Sequence, residues 1–556
     1  MSQPTGRGAR VPGVVFAVLA LGVLVLVATA LNPAQPPPPA VAEYAPAAVK
    51  AITEAPPEQS AEDGTAAGGT GAGRTPGGRG GKSGTPPPTG NPTPSGKPID
   101  VPRVRGCIGD PPRQTEDPQS PPCIPYFEGS NGGATWTGVT ADEVRIAMPN
   151  ASGPSIAQLE RYFNRRFQFY GRQLKIVRDV GCFGGTPASA KSAAQDVAAL
   201  KVFGNVGFCD IGGVEYYYYD ELARNKVVSV SNRVTVQHEK DVAKFHPYEW
   251  TYLPTFDKGS RHLAELNCSL KGKRAENAGA PWSTMTRKYG LISNKFNDSP
   301  SPDLSAANAA LAACGIEPER AQITYEREGG TGGQGASPQT AQEVATAVQR
   351  MRSENVTTII FLTHSLTTRQ VYAVLDGQGY EPELAVSTNF YNDEDLGIAA
   401  TPKRQALHTF GVSTWNKFVK VADEPWYAAL KETEPNYQFC CPPFGYYGVR
   451  YDYHAMLMMA AGIQMAGPNL TPESFAKGLQ NASWPNPPTE KWPGKVTVSP
   501  GTHSYMEDAT AIWWDNSNVS EYSGAGAFCY VENGRRRQLG RWPADDMLFK
   551  RPCQRF

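Results

Sequence analysis

Neither sign of charge dominates this chain. Across 556 residues, 53 Lys and Arg face 53 Asp and Glu, so bulk electrostatics offers no pull toward nucleic acid. The ten cysteines include no CxxC, and no His stands near them at zinc-finger spacing, which argues against structural zinc. None of the seven histidines lies in HExxH, and no GxSxG nucleophile elbow occurs. Two glycine-rich stretches imitate nucleotide loops without their chemistry. Gly330-Thr331-Gly332-Gly333-Gln334-Gly335 matches GxGxxG, but the strand after it ends in Leu362-Thr363-His364, with no acid for a ribose. Gly81-Lys82-Ser83 has Pro76 where a P-loop needs its upstream glycine. Nothing points to catalysis or to a bound cofactor or metal.

What is present begins with an apolar N-terminus. Arg7 and Arg10 precede an uncharged run from Val11 to Leu31, long enough to span a bilayer. Residues 1–31 read as an uncleaved membrane anchor, with Ala28-Thr29-Ala30 as the cleavage site of the alternative, a signal peptide. No Cys follows closely enough for a lipoprotein anchor. In either case the positive charge before the run places the bulk of the chain outside the cytoplasm, anchored or secreted. Residues 32–133 are rich in Pro, Gly, Thr and Ala, as in Pro36–Pro39 and Gly77–Gly81, and read as a disordered stalk.

Outside the cytoplasm, disulfides are the default for such cysteines. The pairs expected from the units they bracket are Cys107–Cys123, Cys182–Cys209 and Cys268–Cys314. Cys440 and Cys441 pair either with each other or each with a distant partner such as Cys529 and Cys553.

Beyond the stalk, short β-branched runs alternate with amphipathic stretches. Strands are expected at Glu143–Met148, Leu174–Val180, Val227–Ser231, Tyr289–Ser293, Gln322–Glu326 and Thr357–Leu362. Helices are expected at Ser155–Tyr170 and Ala188–Val202. Leu304, Ala307 and Leu311, and then Val344, Val348 and Met351, mark two further one-sided helical faces. Tyr453–Met465 is apolar almost all round, as a fully buried helix would be. Lys495–Val498 and Ala509–Trp514 read as strands, followed by a loop-rich tail. The alternation argues for an α/β fold with parallel sheets flanked by helices, whose ligands bind beyond the carboxyl ends of the strands.

The order of segments resembles the type I periplasmic binding proteins, in particular the branch serving ABC importers of branched-chain amino acids. Gly138-Val139-Thr140-Ala141-Asp142-Glu143-Val144-Arg145-Ile146 is similar to that family's first-strand entry, and Val227–Ser231 to its fourth strand. Arg287–Ile292 is similar to the strand opening the second lobe. Glu354–Leu362 with Tyr372–Tyr380, Tyr446–Ala466 with Tyr451-Asp452-Tyr453, and Thr471–Leu479 follow in the family's order. The third position of Tyr451-Asp452-Tyr453 departs from the family's usual Ala. The resemblance implies two lobes joined by three hinge crossovers, lobe 1 being 134–257 and 400–495 and lobe 2 being 258–399 and 496–556. It further implies a monomer that captures a small ligand between the lobes for ABC permease subunits. A tethered receptor or sensor using the same fold is the alternative.

By the same resemblance, Ser231, Asn232 and Thr235 are ligand-binding positions after the fourth strand. Gly212 and Gly213 offer only backbone amides where amino-acid binders carry a hydroxyl, which counts against a simple α-amino acid. Tyr216 opens a four-tyrosine stripe in which at most two rings can face one way. Asp257 lies at the crossover into lobe 2, as ligand contact or helix cap. Lobe 2 offers Asn294 and Phe296, then His364, then Asn389 and Tyr391. The expected cleft is aromatic and amide-rich, suited to a neutral, amino-acid-like or partly aromatic solute.

Overall fold

The computed structural model describes residues 106–110, 112–149, 155–177, 186–207, 214–231, 237–296, 300–325, 338–437, 444–481, 501–543 and 553. The expected membrane segment, most of the stalk and the expected strand Lys495–Val498 lie outside them. No described helix is long and apolar enough to cross a membrane.

The described chain begins with a two-stranded antiparallel ribbon, β1 (Cys107–Ile108) and β2 (Arg113–Gln114), closed by the Cys107–Cys123 disulfide. This corrects the stalk boundary: residues 112–133 are part of the folded body, with Gln114, Asp117, Gln119 and Ser120 all buried. The Pro- and Gly-rich composition that suggested a stalk ends here in a segment held by side-chain hydrogen bonds of Gln114, Asp117 and Gln119.

The first sheet follows as β3 (Glu143–Ala147), α1 (Ser155–Arg166), β4 (Gln173–Val177), α2 (Pro187–Ala199), β5 (Gly204–Val206), α3 (Glu215–Arg224), β6 (Val228–Ser231), α4 (Glu239–Lys244) and β7 (Glu249–Thr251). All five main strands are parallel, in the order β4-β3-β5-β6-β7. Local chemistry sets the helix starts: Thr186 and Ser189 form a reciprocal capping box, with Pro187 at the first helical position.

The chain then crosses to a second sheet through residues 252–255. There α5 (Phe256–Ser269), β8 (Tyr289–Phe296), α6 (Ser305–Ala313), β9 (Glu319–Tyr325), α7 (Pro338–Ser353), β10 (Thr358–Leu362), α8 (Ser365–Gly377), β11 (Glu383–Val386), α9 (Asp395–Ala399), α10 (Lys403–Ala406) and β12 (Thr409–Ser413) succeed one another. A second crossover leads to α11 (Pro425–Thr433), α12 (Phe444–Ala466) and α13 (Pro472–Asn481). These return to the first sheet, where α12 packs on β5 and β6. From Ala455 to Ala461 every residue of α12 is buried, as its uniform apolarity requires. A third crossover, 503–509, pairs with the first before entering β13 (Thr510–Ser520) and β14 (Gly524–Tyr530).

The second sheet has seven strands, β14-β13-β12-β11-β10-β8-β9, in which β13 alone runs against the others and so pairs antiparallel with both β12 and β14. Two expectations change here. The seven-stranded sheet extends past residue 400 to include β12, so the return to lobe 1 comes after Ser413. The tail expected to be loop-rich contains β14, whose Cys529 pairs with Cys553, which removes both as partners for Cys440 and Cys441. Cys268–Cys314 forms as expected, whereas Cys182, Cys209, Cys440 and Cys441 lie outside the described residues.

Lobe 2 is stitched below its sheet by a buried ion pair. Arg287 donates from Nε and Nη2 to both oxygens of Glu383 at 2.7 and 2.8 Å, and Thr358 Oγ1 and the Asn277 amide donate to the same carboxylate. Both charged side chains are almost wholly out of water, 3% and 0% exposed, so neither can be lost alone without stranding the other. Glu383→Gln is therefore expected to lower the stability of lobe 2 by about 3–5 kcal/mol. Arg287→Met with Glu383→Leu should recover most of that loss, as read from urea unfolding of the two single variants and the pair.

Asp117 provides a second test. Burial pushes its carboxyl up to about 7, against the opposing pull of the Gln119 amide and the Tyr453 hydroxyl. A carboxyl protonated when folded and ionised when unfolded contributes its stability below about pH 4 and has lost it above about pH 7. Glu249 and Glu507, raised by burial to about 8 and about 7, act in the same direction. Burial holds His262 and His454 neutral and works the opposite way, so the test is the difference between two chains: the thermal unfolding midpoint of Asp117→Asn relative to wild type should rise as pH rises from 4 to 7.

Candidate binding cleft

Both sheets wind in the same order, the second strand beside the first and the third on its other side, so each has a switch point between its first and third strands. Open parallel sheets bind ligands outside the carboxyl ends at such points. In lobe 2 that point lies between β8 and β10, and its side chains are joined there. Asn294 accepts the His364 amide at 2.6 Å and donates to the Ile323 carbonyl and Thr367 Oγ1, both at 3.1 Å. Its carboxamide is thus committed to holding β8, β9 and β10 in place.

What Asn294 positions is a set of rings. Phe296 and Tyr325 end β8 and β9 in parallel register, which brings their centroids to 5.3 Å. Tyr325 lies 4.5 Å from the His364 ring, which is 5.5 Å from Phe390. Phe390 then meets Phe296 at 6.0 Å and Phe256, from the first crossover, at 6.1 Å. His364 Nδ1 accepts the Leu366 amide as a cap for α8, which leaves the ring proton on Nε2. Buried edge-to-face and offset pairs of this kind each add about 0.5–1.5 kcal/mol beyond area burial.

The turn after β11 is strained. Phe390 and Tyr391 take φ values of 56° and 64°, the left-handed region, at a cost of about 1–2 kcal/mol each for residues with a Cβ. The surrounding bonds hold the turn in place: Asn392 Nδ2 donates to the Thr363 and Asn389 carbonyls, and Thr388 Oγ1 to Asp393. Gly397 permits it sterically, since a Cβ there would sit 2.5 Å from the Tyr391 carbonyl oxygen. Beside this turn, neither Oδ1 nor Nδ2 of Asn389 has a hydrogen-bond partner among the described residues, although the residue is 1% exposed. Thr255 Oγ1, at the start of α5, is in the same condition. The Asn389 carboxamide presses on the first turn of α5, where only Gly259 leaves it room.

Lobe 1 contributes a tyrosine and a serine. Ser231 ends β6 and hydrogen-bonds Tyr219, whose hydroxyl also donates to the Gly207 carbonyl at 3.1 Å. Burial drives the Tyr219 hydroxyl well above its ordinary range, with Glu215 and, from the other lobe, Tyr391 adding to the effect. Tyr219 and Tyr391, from different sheets, are thus near enough to act on one another electrostatically. The lobes touch directly beside this cleft: Lys240 Nζ lies 2.9 Å from Asp303 Oδ2, and the Asp303 amide donates to His238 Nε2 at 3.1 Å.

Of the expected site residues, the structure groups Phe296 and His364 with Phe256, Tyr325 and Phe390, while the Tyr391 ring lies against Tyr451 of α12 at 5.7 Å. Asn389 adjoins them, and Ser231 with Tyr219 forms the opposite side. Tyr216 is half-buried and turned against Tyr217 at 5.6 Å, so the stripe's contribution comes from Tyr219 instead. Asp257 Oδ1 accepts the Glu239 amide at 3.2 Å and ties α5 to α4. Gly212, Gly213, Asn232 and Thr235 lie outside the described residues. Phe256 and Phe390 adjoin residues singled out from sequence, whereas Tyr325 carried no signal beyond ending a strand.

No protein-family model and no curated protein sequence matches the chain. Solved structures similar to it include solute-binding proteins of ABC transporters. One from Rhodopseudomonas palustris, in complex with 3,4-dihydroxybenzoic acid, shares 11% identity over 72% of this chain and 97% of that one, with a TM-score of 0.49. A leucine-, isoleucine-, valine-, threonine- and alanine-binding protein from Brucella ovis, in a closed conformation, shares 13% over 74% and 100%, also at 0.49. A fatty acid ABC transporter substrate-binding protein from Thermomonospora curvata shares 15% over 77% and 99%, at 0.48. At such values the likeness assigns no ligand.

The strained turn can be separated from the ring it presents. Tyr391→Ala and Tyr391→Gly both remove the ring, but only glycine relieves the left-handed backbone. The glycine variant should be more stable than the alanine variant by about 1 kcal/mol in denaturant unfolding.

Proposed function

We propose that this chain is an extracytoplasmic solute-binding protein, which closes two lobes over a small neutral, amino-acid-like or aromatic solute and presents it to an ABC importer. The observation that carries this reading is the pair of parallel-sheet switch points joined by three crossovers, the carboxyl edge of one backed by a connected set of five buried rings. Such a lining favours a planar or apolar body, while the Asn389 carboxamide and Thr255 hydroxyl supply donors and acceptors for one neutral polar group. Two carboxyls stand near: Glu215, which acts on Tyr219, and Asp393, raised by burial to about 6. Two buried carboxyls beside the rings favour a solute without strong negative charge. Three described disulfides agree with life outside the cytoplasm.

The reading is tested on the full-length chain from an oxidising host, by native mass spectrometry and a thermal-shift screen of amino acids, amides, sugars and aromatic acids. A stabilising solute is expected, with Asn389→Ala or Phe390→Ala weakening it at least tenfold, about 1.4 kcal/mol or more. A folded, disulfide-intact protein that binds no member of the screen would overturn it. Binding without stimulation of any permease ATPase would transfer the weight to a tethered receptor.

A further inference from the structure

One side chain outside the cleft reaches all three interlobe crossovers. Gln119 lies on the disulfide-closed segment at the start of the folded body and is wholly buried. Its Nε2 donates to Asn416 Oδ1 in the second crossover at 3.2 Å and to Met506 Sδ in the third at 2.8 Å. Its Oε1 accepts the hydroxyl of Tyr252 in the first crossover, and its backbone carbonyl accepts that of Tyr505 in the third. A carboxamide has two N–H donors and one carbonyl oxygen, and here each is engaged. The segment is itself fastened to lobe 1. Asp117 accepts from Tyr453, Gln114 donates to the Arg166 carbonyl and accepts from Gln464, and Gln464 also donates to the Pro122 carbonyl.

We propose that residues 106–123 form a strap whose Gln119 pins the interlobe hinge, so that seating of the strap and bending of the crossovers are a single equilibrium. A hinge works by backbone rotation in a few connecting residues. Crossovers bonded to one common side chain cannot rotate independently of it. Tyr252, Asn416, Tyr505 and Met506 move together or release Gln119. Gln119 is therefore a positioning residue for lobe closure, although it touches no solute. The cost of unseating it is that of leaving buried donors and acceptors without partners, which biases the hinge toward the strapped geometry. The inference rests on the lobes moving about the crossovers, as the binding reading requires, but it concerns the solute-free protein.

Hydrogen exchange of the full-length protein without added solute provides the test. In the wild-type chain the bonded amides of the strap (Gln114, Thr115, Cys123) and of the crossovers (Thr251, Tyr252, Tyr505, Met506) should open as one unit, at a common protection. Gln119→Glu keeps the volume and the acceptor for Tyr252 but removes both donors. It should raise exchange at the crossovers at least tenfold while β3 and β10 remain as protected as before. Crossovers that exchange at a rate unrelated to the strap's, or that are unmoved by Gln119→Glu, would overturn the proposal. The wild-type comparison decides the matter even if the variant fails to fold. Coupled exchange without any solute binding would leave the strap standing and remove the binding reading; solute binding with uncoupled exchange would do the reverse.

Discussion

Parallel strands deliver all their carboxyl ends to one edge of a sheet, and the rest of this molecule is arranged around two such edges meeting. The constraint is topological before it is chemical. A parallel neighbour needs a crossover, usually helical, so both sheet faces are covered and only the edges remain available to a ligand. β10 shows the result, with five consecutive buried residues, the last four apolar, and the polar Thr363 and His364 just beyond its end. Phe296, Tyr325, His364 and Phe390 meet because four successive strands end at the same level, not because anything in their spacing along the chain brings them together.

Much of the fold was legible because its signals are periodic. The six expected strands appear with shifts of a few residues at their ends, and the helix around Tyr453–Met465 is buried on all sides as its composition suggests. β5, β7 and β12 carried no such signal. The first two have only three residues each, and β12 interrupts its apolar run with Gly411, whose missing side chain admits the Val386 carbonyl. The strap was hidden for a different reason. Its burial depends on polar groups such as Gln114, Asp117 and Gln119 finding partners hundreds of residues away, and no local pattern announces such partners.

The cleft was legible in outline and less so in detail. Strand ends pointed to Phe296, His364, Asn389 and Tyr391, because a parallel fold makes those positions available whatever residues occupy them. The division of labour among them was not. Asn294 and Asp257 are polar residues at suitable positions, yet their hydrogen bonds hold β8 to β10 and α5 to α4. Asn389, of the same residue type as Asn294, has its carboxamide uncommitted. Only three-dimensional accounting separates the two, since the difference lies in what surrounds each amide. The left-handed pair Phe390–Tyr391 is likewise invisible in a sequence without glycine at that turn, and it survives because neighbouring bonds and Gly397 enforce it.

The discontinuity of lobe 1 has a consequence for how the chain is made. The parallel part of the seven-stranded sheet comes from one uninterrupted stretch, β8 to β12, and its helices arrive in step with its strands. Lobe 1 has no such fortune. One flank of β5 and β6 waits for α12, more than two hundred residues downstream, and α12 is itself too apolar to stay harmlessly exposed. During synthesis the first sheet must therefore remain half-covered while the second is completed, and the lobe begun first is finished later. The vulnerable species in biogenesis is thus a long, partly built lobe 1 with an open hydrophobic flank, the form that a chaperone holding the emerging chain would have most reason to bind.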